Sequence, residues 1–216
     1  MFTARKNWRN SLIVLATCLM VLFLYSPLVS RGVAQSPLGA PRATLAAPAE
    51  ASFAVGQQLD ANLAAATAPL LAQGPSSGSI VTYIAMLSSQ NVVPNAPMTE
   101  ARGVVGAALA GDRLVVRGSF RELSSALRDY ATDPVDPPNP NITSAFHIHR
   151  GSPSENGPFQ YALEVTMNST GRGGSATGDY RLTPEQIQAL QNGLLYVDLH
   201  TTRNRGGELR GILMPA

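Results

Sequence analysis

The sequence predicts an all-β protein: a single antiparallel Greek-key sandwich or barrel of about eight strands with one short helix, preceded by an export signal and a disordered linker. Three observations predict it. From Ile80 onward, short runs rich in Val, Leu, Ile, Thr and Tyr alternate with turn residues about every ten positions, the rhythm of antiparallel sandwiches. The 19 glycines and 16 prolines suit turns rather than a helical bundle. The residues from 80 to 216 suffice for one core, because domains run to about 100–200 residues.

The amino terminus carries a different pattern. Arg5, Lys6 and Arg9 precede an apolar run from Ser11 to Tyr25, and Gly32-Val33-Ala34 ends on small residues. This is the layout of a secretory signal peptide over residues 1–34; an uncleaved anchor is the alternative if the apolar stretch extends to Val29. The expected location is therefore secreted or periplasmic, with membrane contact only through an uncleaved signal.

Without that segment the arithmetic changes. It holds four of the sixteen basic residues, none of the fourteen acids, the one cysteine (Cys18) and the one lysine (Lys6). The remainder has a balance of −2 and must fold outside the cytoplasm without disulfides. Charged residues make up 14% of the chain, against about 25% in an average soluble protein. Nucleic acid is excluded as a partner, since binding it takes many Lys and Arg to neutralise phosphates.

Residues 35–79 are biased towards Ala, Pro, Gln, Ser and Gly and are expected to form a mostly disordered linker, with a transient helix from Gln57 to Leu71. Eight strands follow, in the domain 80–216: Ile80–Ser88, Gly103–Ala110, Arg113–Phe120, Ser144–His149, Phe159–Thr166, Ala176–Leu182, Leu194–His200 and Gly207–Met214. Gly111-Asp112 is expected to turn a tight hairpin. Thr183-Pro184-Glu185-Gln186 carries a cap, a first-position proline and a capping-box Gln, so a short helix starts there and stops near Gly193. The prolines between Arg128 and Asn141 dictate an exposed loop.

All three histidines fall on strands. The period of two places His147 and His149 opposite Phe146 and Ile148, and places Tyr196, Asp198 and His200 opposite Leu195, Val197 and Leu199. Three neutral imidazoles beside an open position suit Cu or Zn. The candidate metal ligands are His147, His149 and His200, with Asp198 or Glu208 as carboxylates that orient a ligand. Other chemistry lacks support. No serine sits in a Gly-x-Ser-x-Gly elbow, Asp129, Asp133 and Asp136 lack EF-hand spacing, and Gly171-Arg172-Gly173-Gly174 precedes no helix. Asn141 and Asn168 begin formal glycosylation triplets.

The chain resembles the chordin-type CHRD domain. The likeness is carried by Leu87-Ser88-Ser89-Gln90-Asn91-Val92-Val93-Pro94, Ala145-Phe146-His147-Ile148-His149-Arg150-Gly151, Asn156-Gly157-Pro158, Leu195-Tyr196-Val197-Asp198-Leu199-His200-Thr201 and Asn204-Arg205-Gly206-Gly207-Glu208-Leu209-Arg210-Gly211. In chordin the protein binds growth-factor ligands, so the resemblance implies an interaction role. A fainter likeness joins Phe146-His147-Ile148-His149, the strand ending at His200 and Asn204-x-Gly206-Gly207-x-Leu209 to the copper-zinc superoxide dismutase sandwich. It implies copper ligands at the three histidines. The zinc loop and disulfide cysteines of that enzyme are missing here, and Glu208 stands where its active-site arginine would. The expected function is a non-catalytic extracytoplasmic module that binds a protein or ligand of unknown identity. The alternative is a mononuclear copper or zinc protein with a redox or metal-handling role.

Overall fold

The computed structural model describes residues 48–72 and 79–216. The expected export signal 1–34, and residues 35–47 and 73–78 of the expected linker, lie outside the described residues. Ten antiparallel strands form two sheets: β1 (Ile80–Leu87), β2 (Arg102–Ala110), β3 (Arg113–Arg121), β4 (Phe146–Arg150), β5 (Phe159–Ala162), β6 (Glu164–Met167), β7 (Gly174–Arg181), β8 (Leu195–Leu199), β9 (Leu209–Ile212) and β10 (Met214–Pro215). One sheet runs β10-β1-β2-β3-β7-β6 and the other β5-β4-β8-β9.

Each of the eight expected strands is present, and two of them change sheets part-way. Leu163 separates β5 from β6, is fully buried, and donates its N–H to Phe146 O at 2.8 Å. Leu213 does the same between β9 and β10, donating to Leu195 O at 2.9 Å. Ser88 and Arg210 exchange both backbone bonds, at 3.0 and 3.1 Å, where β1 meets β9. The sandwich is thereby closed at both corners.

Period two fills the interior. Tyr83, Ala85 and Leu87 of β1, Val105, Ala107 and Leu109 of β2, and Leu114, Val116 and Phe120 of β3 face Phe146, Ile148, Leu195, Val197 and Leu199 of the second sheet. Phe120 meets Phe146 edge to face at 5.9 Å. A Cβ on Gly118 would come within 3.0 Å of that Phe146 ring, so glycine makes room for it.

Within the expected linker, the helix expected over Gln57–Leu71 is present and is longer: Pro48–Leu71 is a 24-residue helix, α1, docked on the sheet rather than transient. It lies on the outer face of β2 and β3. Ala66 and Leu70 are fully buried against Ala108, Ala110 and Val115, Asn62 donates to Val104 O at 3.2 Å, and Ser119 donates to Asn62 at 3.0 Å. A Cβ on Gly106 would lie 2.6 Å from Leu63 N; the glycine lets the helix backbone approach. Ala108, Ala110 and Val115 of the covered face are apolar, so docking the helix hides surface that the strands would otherwise leave in water.

The second helix, α2 (Pro184–Gln191), starts as expected. Gln186 N donates to the Thr183 hydroxyl at 3.3 Å, and Thr183 N donates to Gln186 Oε1 at 2.9 Å. Gly193, at a φ of 66°, ends it. Gly111, at a φ of 60°, turns the β2–β3 hairpin. Residues 128–141 form an irregular loop. No helix among the described residues is long and apolar enough to cross a membrane.

Candidate metal centre

Register brings the histidines together. β4 pairs with β8 so that His147 opposes Asp198 and His149 opposes Tyr196. His200 follows β8 directly, and its N–H donates to Ala145 O at 2.8 Å. The ring centroids of His147 and His200 are 5.0 Å apart, those of His147 and His149 5.5 Å, and those of His149 and His200 6.4 Å. One ring nitrogen from each residue lies within 4.8 Å of those of the other two. The convergence expected from strand parity is therefore present.

Each imidazole spends one nitrogen on a backbone carbonyl. His147 Nε2 donates to Ser144 O, His149 Nδ1 to Gly157 O at 3.1 Å, and His200 Nδ1 to Arg205 O at 3.0 Å. A carbonyl can only accept, so the nitrogen facing it must carry the proton. In a neutral ring the remaining nitrogen is then a bare lone pair: Nδ1 of His147 and Nε2 of His149 and His200. The two Nε2 atoms are buried and have no hydrogen-bond partner among the described residues. Orphaned buried polar atoms are rare and call for an explanation.

The surroundings keep the rings neutral. Burial, with added repulsion from His200, lowers the His147 pKa from 6.5 to about 3. Burial likewise lowers His200 to about 4 and pushes His149 down. Tyr130 packs on His147 and His200 at 5.1 and 6.2 Å, and Phe159 packs on His147 and His149 at 5.5 and 6.2 Å. Arg128 holds the proline-rich loop in place. Its guanidinium covers Tyr130 at 4.5 Å, pairs with Asp133 at 3.0 Å, and donates to Arg205 O at 3.2 Å. The carbonyl that orients His200 thus also anchors the loop carrying Tyr130.

The carboxylates expected to orient the imidazoles do other work. Asp198 uses both oxygens on Arg210, each at 2.7 Å, in a fully buried fork. Glu208 accepts from Thr99, Ser124 and Thr201: the Ser124 N–H at 2.7 Å, and the hydroxyls of Thr99, Ser124 and Thr201 at 2.7, 2.8 and 2.6 Å. Burial alone would raise the Glu208 pKa, but these donors outweigh it and hold the carboxyl below its ordinary value. Neither acid bonds to a ring nitrogen. Backbone carbonyls have taken that place, from Ser144 just before β4 and from the loops after β4 and β8.

Tyr130, Phe159 and Arg210 join the site without having been singled out in the sequence. Arg210 had a readable signal, since it follows the period of two from β9 to stand opposite Asp198 in register. Tyr130 had none, because its loop has no period.

The family model for the CHRD domain matches residues 83–213, which include all three histidines and every strand from β2 to β9. The chain belongs to the CHRD domain family. No curated protein and no solved structure matches it. Within the CHRD domain, the imidazole cluster sits on the outer face of the four-stranded sheet. Helix α1 precedes the matched residues and packs on the other sheet.

Proposed function

We propose that this CHRD-domain protein holds one transition-metal ion, copper in preference to zinc, on His147 Nδ1, His149 Nε2 and His200 Nε2, and that it works outside the cytoplasm in metal handling or electron transfer. One observation carries the reading: each imidazole has one nitrogen pinned by a carbonyl, and the three rings bring one nitrogen each within 4.8 Å of one another. Such outer tethers accompany metal-ligating histidines as a rule. Burial supplies neutral ligands at ordinary pH, so metal binding need not displace protons from these rings. Copper is favoured because imidazole suits both metals and Cu²⁺ stands above Zn²⁺ in intrinsic affinity. The shielded nitrogens under Tyr130 and Phe159 support retention of a metal rather than turnover of a bulky substrate. The extracytoplasmic location rests on the signal-like residues 1–34.

The interaction role that the sequence alone puts first rests on family likeness. The imidazole geometry gives the metal role a physical basis of its own, and so precedence. The test is metal analysis of protein purified without a histidine tag and reconstituted separately with Cu²⁺ and Zn²⁺. One equivalent of copper is expected, with affinity falling at least about a hundredfold in His200→Ala. Absence of stoichiometric metal after reconstitution removes the proposal.

A further inference from the structure

A second site lies on the other sheet, where β2 begins and β3 ends. Arg102 and Arg121 stand directly opposite each other in register there, and like charges opposed across a ladder repel. Glu122 answers only one of them. It pairs with Arg102 from a φ of 60°, a left-handed backbone that residues other than glycine rarely adopt and that gathers at functional sites. Arg121 has no carboxylate partner among the described residues, and the buried Arg102 Nε finds no acceptor.

Beside this surplus of positive charge is a cavity of about 490 Å³, bounded by Arg102, Val104, Ser119 and Arg121 of the sheet and by Ala54 and Val55 of α1. Its volume falls within the ~300–1,000 Å³ of small-molecule sites. No carboxylate lines it among the described residues.

We propose that this cavity binds a small organic anion with an apolar body, of the class of a medium-chain carboxylate. The carboxylate lies between Arg102 and Arg121, where planar guanidinium groups match its two oxygens. The hydrocarbon runs against Val104 of β2 and against Ala54 and Val55 of α1, all on the outer face of the sheet. One wall therefore comes from a helix that precedes the CHRD match, and α1 makes a ligand site out of a sheet face.

The test is calorimetric titration of the purified protein with decanoate below its micelle concentration, beside decanol and decyltrimethylammonium. Saturable one-to-one binding of decanoate is expected, at least about tenfold tighter than either control. Arg121→Gln, a change at an exposed side chain, should weaken decanoate at least about tenfold, and Ala54→Trp, which fills the cavity from the helix side, should abolish binding. Equal binding of decanol, no saturable binding of decanoate, or affinity unmoved by both substitutions overturns the proposal.

Discussion

The ring of Tyr196 lies flat on that of His149, with centroids 5.3 Å apart and planes 7° from parallel. The same two residues are joined by a second route. Gly157 N donates to the Tyr196 hydroxyl at 2.7 Å while Gly157 O accepts from His149 Nδ1. Arg210 covers the other face of Tyr196 at 4.2 Å. The His149 ring is therefore clamped in plane by a stack and in rotation by a carbonyl, both referred to one tyrosine. Tyr196→Leu removes the stack and the acceptor for Gly157 N–H together. Copper affinity is expected to fall about ten- to hundredfold by competitive chelator titration, with all three ligands still present. Tyr196→Phe, which keeps the stack, should lose less.

Gly157 itself has no room for a side chain. A Cβ there would sit 1.8 Å from Arg150 O, which is backbone and cannot swing away. Gly157→Ala is expected to cost about 2–4 kcal/mol in urea unfolding and to weaken metal binding as well, because the displaced loop carries the His149 tether. A variant with wild-type stability would show that the loop simply shifts.

Glu208 makes stability depend on acid. Its folded pKa lies below the ordinary carboxylate value, so its contribution is complete above the unfolded value and is lost as pH falls through the range below about 4.5. Glu208→Gln should cost about 2–4 kcal/mol at pH 7, since a buried acceptor with several donors is weakened. The difference from wild type should shrink when both are unfolded at pH 3.5. A gap that stays constant with pH would contradict the assignment.

Asp198 and Arg210 form an ion pair sealed from water, with Arg210 also donating to Glu155 O at 3.1 Å and Asn156 Oδ1 at 2.7 Å. Removing one partner strands the other charge. Asp198→Ala is expected to destabilise by about 3–5 kcal/mol, and Asp198→Leu combined with Arg210→Met should recover much of that loss. Strictly additive effects in the double-mutant cycle would show that the two groups do not interact.

Helix α1 depends on the close approach at Gly106. Gly106→Val places side-chain atoms where the Leu63 backbone lies. Limited proteolysis should then cut within residues 48–72, with a matching loss of helical circular dichroism, while the β signal persists. Resistance equal to wild type would place the helix elsewhere.

The strands and the imidazole convergence were legible because they rest on a period of two, which fixes the face of each side chain wherever the strand ends. The α2 cap was legible because its chemistry is local. Helix α1 was harder. Its buried residues are Asn62, Ala66 and Leu70; of the helically spaced leucines at 59, 63, 70 and 71 only Leu70 is in that stripe, so the leucines marked the helix but not the face it buries. The signal lay on the partner. β2 reads Val-Val-Gly-Ala-Ala-Leu-Ala with no polar alternation and is buried on both faces, which requires a covering layer. The sheet switches at Leu163 and Leu213 left no trace, since a buried leucine looks the same within a strand as at a corner. The carbonyl tethers were invisible for a plainer reason: every residue carries one, and only loop geometry selects Ser144, Gly157 and Arg205.

The two strands that change sheets have a further consequence for how copies of this chain meet. An open sandwich presents outer strands whose free N–H and C=O groups invite a neighbouring molecule to add its own strand. Here the outer strand of each sheet runs on into the other, and the short β10 ends at Pro215, which has no N–H to offer. Among the described residues the path of the chain thus shortens the backbone edge open to a second copy where β9 runs into β10, and leaves it to the free sides of β5 and β6.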